Sequence, residues 1–147
     1  MEVLEQIDIL LVEDNPLDAE LTMRGLKGGQ VSGNVIWVTD GQQALDYLFR
    51  AGAYASRGAN EPRLILLDLK MPRVDGIEVL KAIKAEESTR RIPVVIMTSS
   101  EEESDVVKTY DLGANSYLVK PIAFEALTEV ARQAGVYWLG MNRSAPR

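Results

Sequence analysis

Ile9-Leu10-Leu11-Val12-Glu13-Asp14-Asn15-Pro16 reads as four apolar residues, two acids and the opening of a helix. A short unbroken apolar run suits a strand covered on both faces, as in the middle of a parallel sheet. Asn15 is a capping residue, and Pro16 fits the first position of the helix it would open. The same form recurs along the chain. Leu64-Ile65-Leu66-Leu67 ends in Asp68, Val94-Val95-Ile96-Met97 ends in Thr98, and Tyr117-Leu118-Val119 ends in Lys120, followed by Pro121. Open α/β sheets build their sites in the crevice outside the carboxyl ends of the strands. Glu13, Asp14, Asp68, Thr98 and Lys120 are therefore expected to converge.

The strand candidates are Asp8–Val12, Val35–Thr39, Leu64–Leu67, Val94–Met97 and Ser116–Val119, with the second nearer an edge. Helical patterns fill the gaps. Asn15 opens one with Leu17, Leu21 and Leu26 on a face. Asp40 opens another with Ala44, Leu45, Leu48 and Phe49, and Asp75 a third with Ile77, Leu80 and Ile83. Ser100 and Glu103 stand at capping-box spacing before a helix over about Glu102–Asp111, and Gly113 reads as its stop. Phe124, Leu127, Val130, Ala131 and Ala134 mark a fifth. The fold class is α/β: five βα units with right-handed crossovers, giving a doubly wound parallel five-stranded sheet. The stretch 51–63 reads as a longer exposed loop. One domain is expected over 1–147, with a core at about 7–134, an apolar extension over 135–147 and no output domain. The segment from Val136 to Met141 is too apolar for a solvated end and must pack on its own domain or on something else. Residues 142–147 read as loose.

Composition removes several classes of function. With 46% hydrophobic residues the chain is not disordered, and a net charge of -6 opposes binding to DNA or anionic membrane. No apolar run approaches the ~20 residues that span a bilayer. The acidic start, Met1 to Glu5, lacks the form of a signal peptide, so a cytoplasmic location is expected. There is no cysteine, which excludes disulfides, thiolate chemistry and cysteine zinc sites. There is no histidine either, so any phosphohistidine in the pathway belongs to a partner.

The converging residues suit metal-assisted phosphoryl chemistry. Two carboxylates about 4 Å apart repel by roughly 4 kcal/mol at an effective dielectric near 20, and a third makes a cation necessary. An oxygen-only shell with room for water favours Mg²⁺, with Mn²⁺ as an alternative, over a caged Ca²⁺. Asp68 can act as a nucleophile and form an acyl phosphate. Lys120 can supply a fixed cation and Thr98 a hydroxyl for the phosphoryl oxygens. Pro121 redirects the chain tightly, with a cis Lys120–Pro121 bond as one route. Each residue alone has a plain reading, as a solvated cap, a surface lysine or an ordinary strand threonine. The set is what points to chemistry.

Four stretches together closely resemble the receiver domains of two-component response regulators, over about Ile7 to Ala134. They are Val12-Glu13-Asp14-Asn15, the run from Leu66 to Gly76, Met97-Thr98-Ser99-Ser100, and Ser116-Tyr117-Leu118-Val119-Lys120-Pro121. The resemblance implies a flavodoxin-like fold with strand order 2-1-3-4-5. It implies Asp68 as phosphoacceptor and Mg²⁺ on Glu13, Asp14, Asp68 and the backbone carbonyl of Lys70. It also implies Thr98 and Lys120 on the phosphoryl group and Tyr117 as an aromatic switch. Position 13 is Glu where many members have Asp; the longer arm should still reach the metal. Lys70 stands two residues after Asp68 and places a side chain beside the site.

The loop from Tyr54 to Pro62, the run Ala114 to Leu118 and the Tyr137-Trp138-Leu139 ending resemble the small regulators paired with bacterial and cyanobacterial phytochrome kinases. The partner implied is a sensor histidine kinase of phytochrome type, and the apolar tail with Tyr110, Tyr137 and Trp138 leads us to expect a homodimer. Three other classes fit less well. A phosphohydrolase of haloacid-dehalogenase type needs an acid where Lys70 stands. A flavodoxin-like cofactor binder needs a phosphate cradle where Glu13-Asp14-Asn15-Pro16 would repel an anion, and no P-loop motif is present. A purely structural interaction module would have no use for the complete set of site residues. The chain is thus expected to be a phosphoacceptor switch that assists its own phosphotransfer and dephosphorylation, not an enzyme in the usual sense.

Overall fold

The computed structural model describes residues 7–29, 34–58 and 60–146; the acidic start lies outside them. Five strands, β1 (Ile7–Val12), β2 (Asn34–Val38), β3 (Leu64–Leu67), β4 (Val94–Thr98) and β5 (Ser116–Val119), pair in parallel in the order β2-β1-β3-β4-β5. The helices between and after them are α1 (Pro16–Gly28), α2 (Gly41–Leu48), α3 (Gly76–Ala85), α4 (Glu103–Asp111) and α5 (Phe124–Gly135). This is the expected doubly wound sheet, and the three unbroken apolar runs occupy its three central strands.

Alternate residues of those strands serve two separate cores. Leu10, Val12, Ile65, Leu67, Val94 and Ile96 face one side with Ala44, Leu48, Val79, Leu80 and Ile83 of α2 and α3. Ile9, Leu11, Leu64, Leu66, Val95 and Met97 face the other with Ala19, Leu21 and Leu26 of α1 and Leu127 and Ala131 of α5. This two-fold alternation explains the absence of polar residues within the runs. Each such side chain contributes roughly 1.5–3 kcal/mol by leaving water. On the second side α1 and α5 meet closely at Gly25, where a Cβ would lie 2.1 Å from the Thr128 carbonyl oxygen.

The caps Asn15, Asp40 and Asp75 form as expected, each accepting backbone N–H groups of its helix's first turn. The Ser100–Glu103 box does not. α4 starts at Glu103, with Glu102 as a cap that makes no side-chain bond. Ser100 stands outside the helix, its Oγ accepting from Glu102 N at 3.3 Å and donating to Asp105 Oδ2 at 2.6 Å, and its N–H donating to Thr98 Oγ1. Only Thr109 of α4 is buried, so this helix is the least anchored of the five. Leu17, Phe49 and Phe124 are exposed although they continue apolar stripes, because they lie at helix ends. Tyr47 is buried in place of Phe49.

Residues 51–58 are largely exposed, as expected, but the stretch is tied to its own domain. It contains a 3₁₀ turn at Gly52–Tyr54. Arg57 donates to the carbonyls of Tyr47, Leu48, Gly58 and Asn60, and its guanidinium lies 4.3 Å from the Tyr47 ring centre. After α5 the chain runs on as a wider π-helical turn, Val136–Met141. Leu139 packs into the α1–α5 core with Trp138 against it, and the Leu139 carbonyl accepts from Arg63 at 2.9 Å. The tail therefore covers its own domain, with Tyr137 and Met141 facing out and Trp138 less exposed than the sequence suggested. Residues 142–146 are not wholly loose, since Asn142 N bonds to Tyr137 O and Arg91 reaches the Pro146 carbonyl. Among the described residues no helix is long and apolar enough to cross a membrane.

Candidate functional site

Sheet hydrogen bonds carry the reactive residues. Glu13 N donates to Val38 O at 3.1 Å, Asp68 N to Val12 O at 3.1 Å and Lys120 N to Thr98 O at 2.7 Å. Glu13, Asp68 and Lys120 thus sit one residue beyond β1, β3 and β5, still fixed by the sheet, with Thr98 the last residue of β4. The structure brings Glu13, Asp14, Asp68 and Lys120 together, with Thr98 at the same edge of the sheet and joined to Lys120 through its backbone carbonyl. Glu13, Asp68 and Thr98 are buried, and Asp14 is exposed at the rim.

The ammonium of Lys120 lies at the centre. It donates to Asp68 Oδ2 at 2.8 Å, to Asp18 Oδ2 at 3.0 Å and, in a short contact, to Glu13 Oε1. Burial alone would lower the Lys120 pKa; the bonds and charges of Asp68 and Glu13 overcome this and hold it above the usual lysine value. Burial pushes the Glu13 carboxyl up to about 7, with Asp68 adding to the rise and Lys120 opposing it. One lysine is short of neutralising this many acids. Glu13, Asp14 and Asp68 can each direct an oxygen into a common space, the three lying within 4.8 Å of one another. An all-oxygen donor set of this kind fits a small divalent cation.

Side groups lock this geometry. Leu69 N donates to Asp68 Oδ1 at 2.7 Å, and Asn15 N to Glu13 Oε2 at 3.1 Å. The Trp37 indole donates to the Glu13 carbonyl at 2.8 Å. Asp18 and Trp37 were not singled out from sequence. Asp18 lies one helical turn after Asp14, and Trp37 lies opposite Leu11 in the β1–β2 register. Lys70 is exposed, with its side chain outside the ion-pair cluster. The Lys120–Pro121 bond is trans, as every peptide bond is among the described residues. The sheet bond from Lys120 N and the extended backbone of Ala123 already redirect the chain into α5 with the commoner isomer.

On the β4 side, Thr98 Oγ1 accepts from Ser100 N at 3.4 Å. Tyr117 is half-buried and donates its hydroxyl to Ser100 O at 2.9 Å; burial raises its pKa. Ser100 therefore joins Thr98 to Tyr117 on β5 and, through Asp105, to α4.

Gly76 supports Asp68 from below. A Cβ at position 76 would lie 2.2 Å from the Asp68 carbonyl oxygen and 2.6 Å from Leu69 Cα. Gly76→Ala is expected to destabilise the fold by about 1–3 kcal/mol, the range for overpacking at a site that cannot yield. Urea denaturation measures this, and an unchanged midpoint would show that the α3 start can shift without cost.

The family model for the response regulator receiver domain matches residues 9–132. Response regulator Rcp1 of Synechocystis is 39% identical over 131 residues, covering 89% of this chain and 88% of that protein, and has been seen in an Mn²⁺-bound form. The phosphorylated cyanobacterial phytochrome response regulator RcpA superposes with a TM-score of 0.89 at 38% identity, covering 96% of this chain and 99% of that one. The bacteriophytochrome response regulator RtBRR gives a TM-score of 0.78 at 47% identity, covering 96% and 82%.

Proposed function

Because the chain belongs to the response regulator receiver family, we propose that it is a phosphorylation switch that accepts a phosphoryl group on Asp68 from a partner histidine kinase of phytochrome type. The observation that carries this reading is the Lys120 ammonium on Asp68, inside a ring of carboxylates that can share a cation. An Asp68 carboxylate oxygen bonds to phosphorus as the donor's P–N bond breaks. That bond's electron pair stays on the imidazole nitrogen, which leaves protonated. Lys120 and Thr98 then hold phosphoryl oxygens. Glu13, Asp14, Asp68 and the Lys70 backbone carbonyl would hold Mg²⁺, or Mn²⁺ in its place. Such a cation neutralises charge on the phosphoryl oxygens in the transition state.

The signal follows from differential binding. Phosphate favours the arrangement in which Thr98 turns to it, so Ser100 N loses its acceptor and Tyr117 is free to move inward. Weakly anchored α4 can then shift. The α4-β5-α5 face exposes Val107, Tyr110, Val119, Ile122 and Phe124, an apolar surface suited to a second copy of the chain. Two experiments test this. Incubation with an autophosphorylated phytochrome kinase should move the label from the kinase to this chain; label that stays on the kinase refutes the pairing. Sedimentation at tens of micromolar, about where interfaces of moderate affinity populate, should show a dimer. A monomer both with and without phosphate refutes the self-association.

A further inference from the structure

We infer that Asp18 is a positioning residue for Lys120, holding the ammonium where a phosphoryl group on Asp68 needs it. This rests on the assignment of Asp68 as phosphoacceptor. A lysine ammonium has three N–H donors and no acceptor. In Lys120 each of the three has a carboxylate partner: Glu13, Asp18 and Asp68. Glu13 and Asp68 also belong to the trio whose oxygens can share a cation, and Asp18 does not. Once a cation and a phosphoryl group compete for the oxygens of Glu13 and Asp68, Asp18 is the partner with no second demand on it. It then fixes a head group carried on a flexible four-carbon stem.

Asp18 is itself well placed for this. The Asn15 side chain accepts from the backbone N–H groups of Leu17 and Asp18, which sets the first turn of α1. A carboxylate in the first turn is also favoured by the helix dipole. The side chain of Asp18 is 27% exposed, against 7% for Lys120, 4% for Glu13 and 9% for Asp68, so Asp18 closes the solvent side of the ammonium.

The test uses the full chain, acetyl phosphate as donor and saturating Mg²⁺, with calorimetry of Mg²⁺ binding to the unphosphorylated protein alongside. Asp18→Ala should lower the maximal rate of phosphoryl uptake roughly tenfold, the scale of one charge-assisted hydrogen bond, with Mg²⁺ affinity held within about twofold. Asp18→Asn keeps an acceptor oxygen and should restore most of the rate. An unchanged or faster rate in Asp18→Ala overturns the inference, as does a parallel loss of rate and Mg²⁺ affinity. If the wild type takes up no phosphate, the assignment of Asp68 falls with it.

Discussion

Asp68→Asn is expected to abolish phosphoryl uptake and leave the fold intact. The amide has nearly the shape of the carboxylate but no nucleophilic oxygen anion, so the acyl phosphate cannot form. Lys120 keeps Glu13 and Asp18 as partners, and the amide oxygen can still accept from Leu69 N in place of Oδ1. The substitution also removes one negative charge from a site where a single lysine faces Glu13, Asp14, Asp18 and Asp68. The urea midpoint should therefore hold or rise. Acid-labile phosphate on the variant, located by mass spectrometry, would move the acceptor elsewhere; a sharply lowered midpoint would show that the Asp68 charge holds the fold.

Lys120→Ala should have the larger effect on stability. It leaves the buried carboxylates of Glu13 and Asp68, and the half-buried one of Asp18, without their shared cation. Breaking a buried ion pair from one side costs about 3–5 kcal/mol, a large share of the roughly 5–15 kcal/mol that holds a domain of ordinary stability. The loss should depend on conditions. Mg²⁺ replaces part of the missing positive charge, so added Mg²⁺ should raise the variant's denaturation midpoint more than the wild type's. Urea denaturation with and without Mg²⁺ reads this directly. Equal losses in both conditions would mean that the lysine acts through packing and not through charge.

The sheet was readable in the sequence for a physical reason. The central strands β1, β3 and β4 are covered on both faces, so the runs Ile9–Val12, Leu64–Leu67 and Val94–Met97 within them hold no polar residue, and the residue that ends each run lies where the sheet stops. Glu13, Asp14, Asp68, Thr98 and Lys120 could be placed together on that ground alone. Asp18 could not, because an acid in a helix's first turn has an ordinary explanation as a dipole partner, and its meeting with Lys120 joins positions 102 apart in the chain. The anchoring of the 51–63 stretch was hidden too. Arg57 holds it mainly through backbone carbonyls, which every residue has. Ser100 and Glu103 had the right spacing for a capping box, yet α4 starts only at Glu103 and the Ser100 N–H is given to Thr98 Oγ1 instead of a Glu103 carboxylate; spacing cannot say at which residue a helix begins. Leu17, Phe49 and Phe124 show the same limit. Periodicity tells which side of a helix is apolar but not where along it the sheet ends.

The most direct measurement is the intact mass of the wild-type chain after incubation with acetyl phosphate, with Mg²⁺ and with the cation removed by chelation, followed by fragmentation to place the modification. The chain should gain one phosphoryl group, only with the cation present, and the group should map to Asp68. A gain that ignores the cation, or that maps to any other residue, would contradict the proposed phosphorylation switch.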